Sequence, residues 1–343
     1  MTQPARYSVQ ALRGFTTSAL SAAGLDAGEA KIVADVLVEA EERGYDSQGL
    51  MRLPSYLTLA REGRLRSPLR LEVRRESPAA LSIDAHNSWG AVTGLKVMQM
   101  CVDKARDNGA CVASIVNVGH VGRLGHYVEA AAQEGFIGLI ALSGNPSTAT
   151  MAPWGGREPR LSTNPLAIGF PHPSGDPVIV DISSTQAARG KVLLAAAKGE
   201  SIPDNWAFDS EGSPTTDPRR SLPPAGSLAP LGGHKGYALA VAIELLCGGL
   251  VGEYPPRSGG VFVAAVNIAA LSDPDDYAHA VAEIDRSMRS SPLRPGFEEI
   301  LLPGTGSARR KRIAERDGVQ IPSGVWRNIV DAAAEVGVGP PDA

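Results

Sequence analysis

Apolar residues recur at helical spacing through residues 8–43 and then change their period. The first stretch reads as two helices, the second with Ile32, Val33, Val36, Leu37 and Ala40 on one face. Asp26-Ala27-Gly28-Glu29 has the form of a capping box at its start, and Arg43-Gly44 supplies a stop. The loop Tyr45-Asp46-Ser47-Gln48-Gly49 follows, then a short helix over 50–64. Arg52 and Tyr56 lie four apart and share a face of it, while Leu53 and Leu57 turn inward. Beyond residue 70 strand and helix patterns interleave. Strands are predicted at 81–84, 111–116, 137–142, 177–182 and 261–268. Helices are predicted at 90–107, through 127–133, around Arg189, Lys191 and Lys198, and at 237–250, 274–289, 307–316 and 323–335. Residues 201–233 are rich in Pro, Gly and Ser and read as a long surface excursion. This order argues an α/β chain whose N-terminal helices pack against its last helix.

Composition narrows the picture. A chain of 343 residues, 43% of them hydrophobic, can bury a large core in two lobes. Aromatics make up only 5%, so that core must be built from Ala, Val, Leu and Ile. The net charge is −4 with both signs interspersed, and no basic run suggests nucleic acid. No stretch approaches the roughly 20 apolar residues that span a bilayer, and the first residues lack a signal-like apolar run. Cys101, Cys111 and Cys247 are far apart, odd in number and set in apolar runs, as expected of buried thiols in a cytoplasmic protein.

The candidate chemistry begins at Gly119-His120-Val121-Gly122-Arg123-Leu124-Gly125, directly after a buried-strand pattern. Histidine titrates near neutral pH, and strand ends are where rigid scaffolds present reactive groups. The G-x-G-x-x-G dinucleotide fingerprint is absent. His126 follows His120 by six residues without ligand spacing or a third donor, so no metal site is expected. Gly232-Gly233-His234-Lys235-Gly236 sets a cation at a helix start, either to meet an anion or as a solvated lysine. Thr163-Asn164-Pro165 reads as a site or a plain turn, and Arg52 as a carboxylate clamp or a surface arginine. Asp181, near a strand end, suits a ribose, an orienting role, or a helix cap.

Taken together, these pieces resemble a known family. The run Tyr45-Asp46-Ser47-Gln48-Gly49-Leu50-Met51-Arg52-Leu53-Pro54-Ser55-Tyr56 is similar to its D-S-H-G-x-x-R-x-P-x-Y signature. Gly119-His120-Val121-Gly122, Ala152-Pro153-Trp154-Gly155-Gly156, Ser162-Thr163-Asn164-Pro165, Thr215-Thr216-Asp217-Pro218, Pro230 to Gly236 and Leu302-Pro303-Gly304 match in order. The family is the malate/L-lactate dehydrogenase-like NAD(P)-dependent oxidoreductases, and the likeness spans residues 8 to about 322. It implies a homodimer with a non-Rossmann cofactor domain, a largely antiparallel sheet flanked by helices. A helical domain would join the N- and C-terminal segments. The expected divisions are 1–75 (substrate side), 76–270 (cofactor) and 271–343 (packing partly back on the first).

By position, the resemblance makes His120 the catalytic acid/base and Arg52 the grip on a substrate carboxylate, with Tyr56 and Thr163 lining the same pocket. Ser47, Asn145, Asp181, Ile182, Ser183, Ser184, His234, Lys235, Gly236, Pro303 and Gly304 match stretches that contact NAD or NADP. Three departures stand out. Gln48 replaces a histidine that donates a proton in some members, and glutamine cannot do so near pH 7. Thr305 replaces a frequent glutamate, and the stretch between Leu250 and Val261 is short. The expected reaction is hydride transfer at C2 of a small carboxylate compound. A 2-oxo/2-hydroxy acid and a cyclic ketimine acid both fit, the latter because it enters already protonated and needs no strong acid. The competing reading is an NAD(P)-binding sensor or assembly protein that has lost catalysis.

Overall fold

The computed structural model describes residues 6–251 and 259–341. Most of the short 250–261 stretch therefore lies outside the described residues. In chain order the elements are β1 (Arg6–Tyr7), α1 (Val9–Ala22), α2 (Ala27–Glu42), α3 (Leu53–Arg61), β2 (Glu72–Ser77), β3 (Ala80–Ser88), α4 (Gly90–Asn108) and β4 (Ala110–Val118). There follow α5 (Gly125–Gln133), β5 (Phe136–Ser143), β6 (Leu166–Phe170), β7 (Val178–Ile182), α6 (Arg189–Lys198), β8 (Ala207–Asp209) and β9 (Gly226–Leu228). The chain closes with α7 (His234–Glu244), β10 (Gly260–Asn267), α8 (Pro274–Arg289), α9 (Thr305–Asp317), β11 (Val319–Gln320) and α10 (Ser323–Ala334).

Seven strands form the main sheet in the order β2-β3-β4-β10-β5-β6-β7. Only β3 and β4 run parallel, joined across α4; every other pairing is antiparallel. This is the largely antiparallel, helix-flanked sheet expected above, and it has no doubly wound crossover to call for the missing fingerprint. Alternation does the packing. Cys111, Ala113 and Ile115 of β4 and Val261, Val263 and Ala265 of β10 are buried on one face, under Val97, Met98 and Cys101 of α4 and Tyr127 and Val128 of α5. The three cysteines are free and buried.

A second core is helical. Leu12, Leu20, Val33, Leu37, Leu53 and Leu57 close on Ile329 and Ala333 of α10. The two chain ends clasp there: β1 pairs antiparallel with β11, and Trp326 stacks on Tyr7 at 4.3 Å between ring centres. No helix among the described residues is long and apolar enough to cross a membrane.

Several expectations are corrected in detail. Six strands escaped the pattern, β2 and β6 of the main sheet and the short β1, β8, β9 and β11; β2 is Glu-Val-Arg-Arg-Glu-Ser, exposed along its length at the sheet edge, so it has no apolar face to read. The 50–64 helix is a 3-10 turn at Leu50–Arg52 followed by α3. The excursion at 201–233 is anchored, because it carries the β8–β9 hairpin and Leu228 donates its N–H to the Thr150 carbonyl at 2.7 Å. The long helix begins at His234 and widens into a π-turn at Leu245–Gly249. At the proposed capping box, Asp26 does cap α2, accepting from the Gly28 and Glu29 N–H groups. Glu29 does not reach back; its carboxylate takes the Ser67 hydroxyl at 2.5 Å and the Leu69 N–H instead.

Candidate active site

The histidine bend is pinned by close backbone approach. Gly119 donates its N–H to the Ser88 carbonyl at 3.0 Å, and α4 begins so near the Gly119 and His120 carbonyls that no side chain would fit at Gly90. The bend therefore holds His120 at the end of β4, as a strand-end histidine should be held.

The helical core supplies the opposite wall. Tyr56, buried on α3, meets His120 Nδ1 with its hydroxyl at 2.7 Å. One turn earlier, Arg52 donates from Nε to the Ser47 carbonyl at 2.8 Å, which folds the guanidinium over the Ser47-Gln48 turn. That turn is itself held from α2, where Glu41 Oε1 accepts the Leu50 N–H at 2.6 Å.

These groups line a cavity of about 500 Å³ between the helical core and the sheet, within the roughly 300–1,000 Å³ of ordinary ligand sites. Ser47, Gln48, Arg52, His120, Asn145, Thr163, Asp181, Ile182 and Ser183 all lie on its lining. Tyr56 stands behind His120, and Ser184 is buried beneath Thr163, whose carbonyl accepts both its N–H and its hydroxyl. His234, Lys235 and Gly236 are not brought to the lining. The first two are exposed at the start of α7, and Gly236 packs against the Ser184 carbonyl. Pro303 and Gly304 lie along β7, where the Pro303 carbonyl accepts the Ile179 N–H at 3.1 Å. Asn164 does more than turn the chain. Fully buried at φ +31°, it donates to the Ala240 carbonyl (3.0 Å) and Glu244 Oε2 (2.8 Å) and accepts from Ser162, tying Thr163 to α7.

The electrostatics favour an anion. Three arginines (Arg52, Arg123, Arg189) line the cavity against one carboxyl, Asp181. Burial lowers Arg52 and raises Asp181 from their usual values, each shift acting against the charged form. His120 is accessible through the cavity yet enclosed by the fold. Burial first, and then the charge of Arg52, lower it from 6.5 to about 4, so the ring is neutral at pH 7. Burial raises the Tyr56 phenol, which keeps its proton. Gln48 lines the cavity, and its Oε1 is buried with no hydrogen-bond partner among the described residues.

The lining also suits a dinucleotide. Gly119, Gly122, Gly144, Gly190, Gly259 and Gly260 leave backbone bare along it. At its edge α6 begins behind Ala188, which gives the first helical N–H groups no side-chain acceptor, beside Arg189. No cluster of three metal-ligating side chains occurs among the described residues.

Arg123 was passed over in the sequence, although it sits three residues after His120 in the same bend. Its one signal was a charged side chain among glycines and apolar residues. Glu41 gave no signal, because its role depends on a turn nine residues away.

Comparison with known proteins agrees with this geometry. The malate/L-lactate dehydrogenase profile matches residues 7–330. The chain is 34% identical to the L-sulfolactate dehydrogenase of Methanothermobacter thermautotrophicus, over 93% of this chain and 94% of that protein. It is 34% identical to the Δ1-pyrroline-2-carboxylate reductase of Pseudomonas fluorescens, over 89% of this chain and 92% of that one. The crystal structure of malate dehydrogenase from Entamoeba histolytica superposes with a TM-score of 0.93 at 26% identity, covering 99% of this chain and all of the other. The chain belongs to the malate/L-lactate dehydrogenase family and is an NAD(P)-dependent oxidoreductase.

Proposed function

We propose that the enzyme moves hydride to or from C2 of a small carboxylate compound, with Arg52 binding the carboxylate and His120 moving the proton. The observation that carries this reading is the pairing of the Arg52 guanidinium and the His120 imidazole on one cavity, with Tyr56 fixed on His120 Nδ1. With Nδ1 engaged, Nε2 is the ring atom left for substrate. A proton on Nδ1, accepted by the Tyr56 oxygen, makes Nε2 a base that takes the proton of a C2 hydroxyl. In the reverse direction the imidazolium returns that proton to the carbonyl oxygen. Burial holds His120 neutral first and the Arg52 charge second, and a carboxylate bound at Arg52 offsets only that second, smaller influence. Bound NAD or NADP would supply the redox partner, and the glycine-lined wall and Arg189 are the groups that would hold it.

The family favours a 2-oxo/2-hydroxy acid. Gln48 favours a second reading, a cyclic ketimine acid. Glutamine cannot donate a proton as an acid near pH 7; an iminium that enters already protonated needs none, whereas a ketone does. A screen of NAD(P)H oxidation against 2-oxo acids and pyrroline- and piperideine-2-carboxylate, with His120→Ala beside the wild type, decides. Faster turnover of ketimines supports the second reading and faster turnover of 2-oxo acids the first. Wild-type rates unchanged in His120→Ala would sink both. A homodimer belongs to the same proposal: Leu193 and Leu194 on α6 and Leu245, Leu246 and Leu250 after α7 are exposed and suit a second copy. Light scattering on the purified protein should give twice the chain mass.

A further inference from the structure

We propose that Asn117 is a positioning residue for His120: its left-handed backbone turns the end of β4 into the histidine bend, and Asp84 holds it there through the side-chain amide. The inference rests on the proton-moving role given to His120 above. Four non-glycine residues among those described have positive φ, and one of them is Asn164 beside Thr163. The other three, His86 (48°), Asn87 (59°) and Asn117 (52°), stand in the last residues of β3 and β4, next to the bend. Most side chains avoid this backbone region, asparagine less than others, and it persists where surrounding contacts impose it.

Asp84 is the contact that the two strand ends share. Only 5% exposed, it accepts the His86 N–H at 2.8 Å on its own strand. From β4, Asn117 Nδ2 donates to its two carboxylate oxygens at 3.0 and 3.1 Å, and Arg74 pairs with it from β2. Burial works to raise this carboxyl, but the His86 N–H, the Asn117 amide and Arg74 outweigh it and hold the group below its usual value, hence ionised. The consequence lies in the register. Asp84 pairs with Val116 and Ser88 with Val118, so β3 advances four residues while β4 advances two, and His86-Asn87 bulges. Past that slip the Ser88 carbonyl meets the Gly119 N–H, and Gly90 comes against the Gly119 and His120 carbonyls. Val118, Gly119 and His120 line the cavity while Asn117 does not, so it acts on the site through the course of the backbone.

The test reads His120 itself. NMR of the histidine-labelled protein, with His120→Ala to assign the ring, should show wild-type His120 titrating at about 4. In Asn117→Ala the bend is released and the ring leaves its enclosed place beside Arg52, so its titration should move up toward 6.5. Turnover of L-malate, L-lactate and pyrroline-2-carboxylate with both dinucleotides should show kcat lower by about 10- to 100-fold and KM changed by under about threefold, the pattern of a catalytic group displaced by roughly 1 Å while Arg52 keeps its grip. Asn117→Gly, which adopts positive φ freely, should recover most of both shifts. Should Asn117→Ala fail to fold, Asp84→Asn carries the comparison, since it keeps the shape, weakens the hold on both strand ends and should move the titration in the same direction. An unchanged His120 titration in the altered protein overturns the proposal. So does a loss that glycine leaves in place, because the backbone angle would then not be what matters. An active His120→Ala enzyme would instead bring down the proton-moving role, while the ring titration still decides whether Asn117 positions His120.

Discussion

His120 is set by two influences that act in the same direction. Enclosure by the fold and the Arg52 charge both disfavour the imidazolium, and together they lower the ring to about 4. As the proposed base in oxidation of a 2-hydroxy acid, His120 must be neutral in the free enzyme. A depressed pKa means that this condition already holds well below pH 6.5 and fails only as pH falls toward 4. The kcat/KM profile for oxidation should therefore stay level through pH 6 and break near 4 to 5, because kcat/KM reports the free enzyme's groups. A limb at 6.5 or higher would show that Arg52 and burial do not act on this ring as described. His120 was legible in sequence because glycines flank it and leave it no apolar face to pack. Arg52 and Gln48 were legible only through the ordered motif around them. That Arg123 lies buried on the cavity lining was invisible, because spacing says nothing of burial.

Between elements, two side chains position the site without entering the chemistry. Glu41 reaches from α2 to the turn carrying Gln48 and Arg52, accepting the Leu50 N–H, and burial raises its carboxyl to about 8, with Asp46 adding to the effect. A folded pKa above the unfolded 4.5 means that the native state keeps a proton the unfolded chain gives up. Its contribution is full below pH 4.5 and is lost as pH rises toward 8. Glu41→Gln keeps an acceptor for Leu50 but cannot ionise. In urea unfolding, the variant should gain on the wild type between pH 5 and pH 8. The gain should reach a few kcal/mol, since each tenfold change in a proton's affinity is worth roughly 1.4 kcal/mol. A wild-type-to-variant difference that is flat across that range would rule out the buried ionisation. Asn164 is the other device, spanning the Thr163 turn and α7 at a backbone angle most residues avoid. Asn164→Ala loses three hydrogen bonds and leaves Glu244 without its amide donor, so about 2–4 kcal/mol should go. Because Thr163 is displaced with the turn, KM should rise as well, measured on the purified variant. The sequence displayed Asn-Pro as a turn signal; that the same asparagine is a buried strut depends on α7 lying more than seventy residues on. The element pattern was readable for most main-sheet strands with one buried face; β6, only five residues long with Ala167 and Gly169 inward, did not show it, and β2 was missed because neither of its faces is buried.

At the scale of the whole molecule, the site exists because two cores meet. One is helical and carries Arg52 and Tyr56; the other is the sheet core that carries His120. Strand order could not be read from the chain, since β10 enters between β4 and β5 from more than a hundred residues away. Composition asked for a core of small aliphatic residues, and the sheet face is built that way, but no pattern fixes which strand lies beside which. Trp89, Ala91 and Val92 at the start of α4 pack into the helical core, and a second link between the cores is ionic. Arg43, at the end of α2 and 3% exposed, pairs with Glu39 on its own helix at 2.7 Å and with Glu129 on α5 at 2.6 Å, while His126 joins Glu39 and Arg123 approaches Glu129. A buried pair is weak evidence of net stability, but removing one partner strands the other in a poor dielectric. Arg43→Met should cost about 3–5 kcal/mol by that mechanism, and Arg43→Met with Glu129→Gln should recover part of it. The loss should fall on the joint between the cores rather than within either. Calorimetry should then show the unfolding transition broadening or splitting, with activity lost ahead of most of the helical signal. A single sharp transition, simply shifted downward with activity tracking it, would show that apolar contact alone couples the two cores and that Arg43 contributes only local stability.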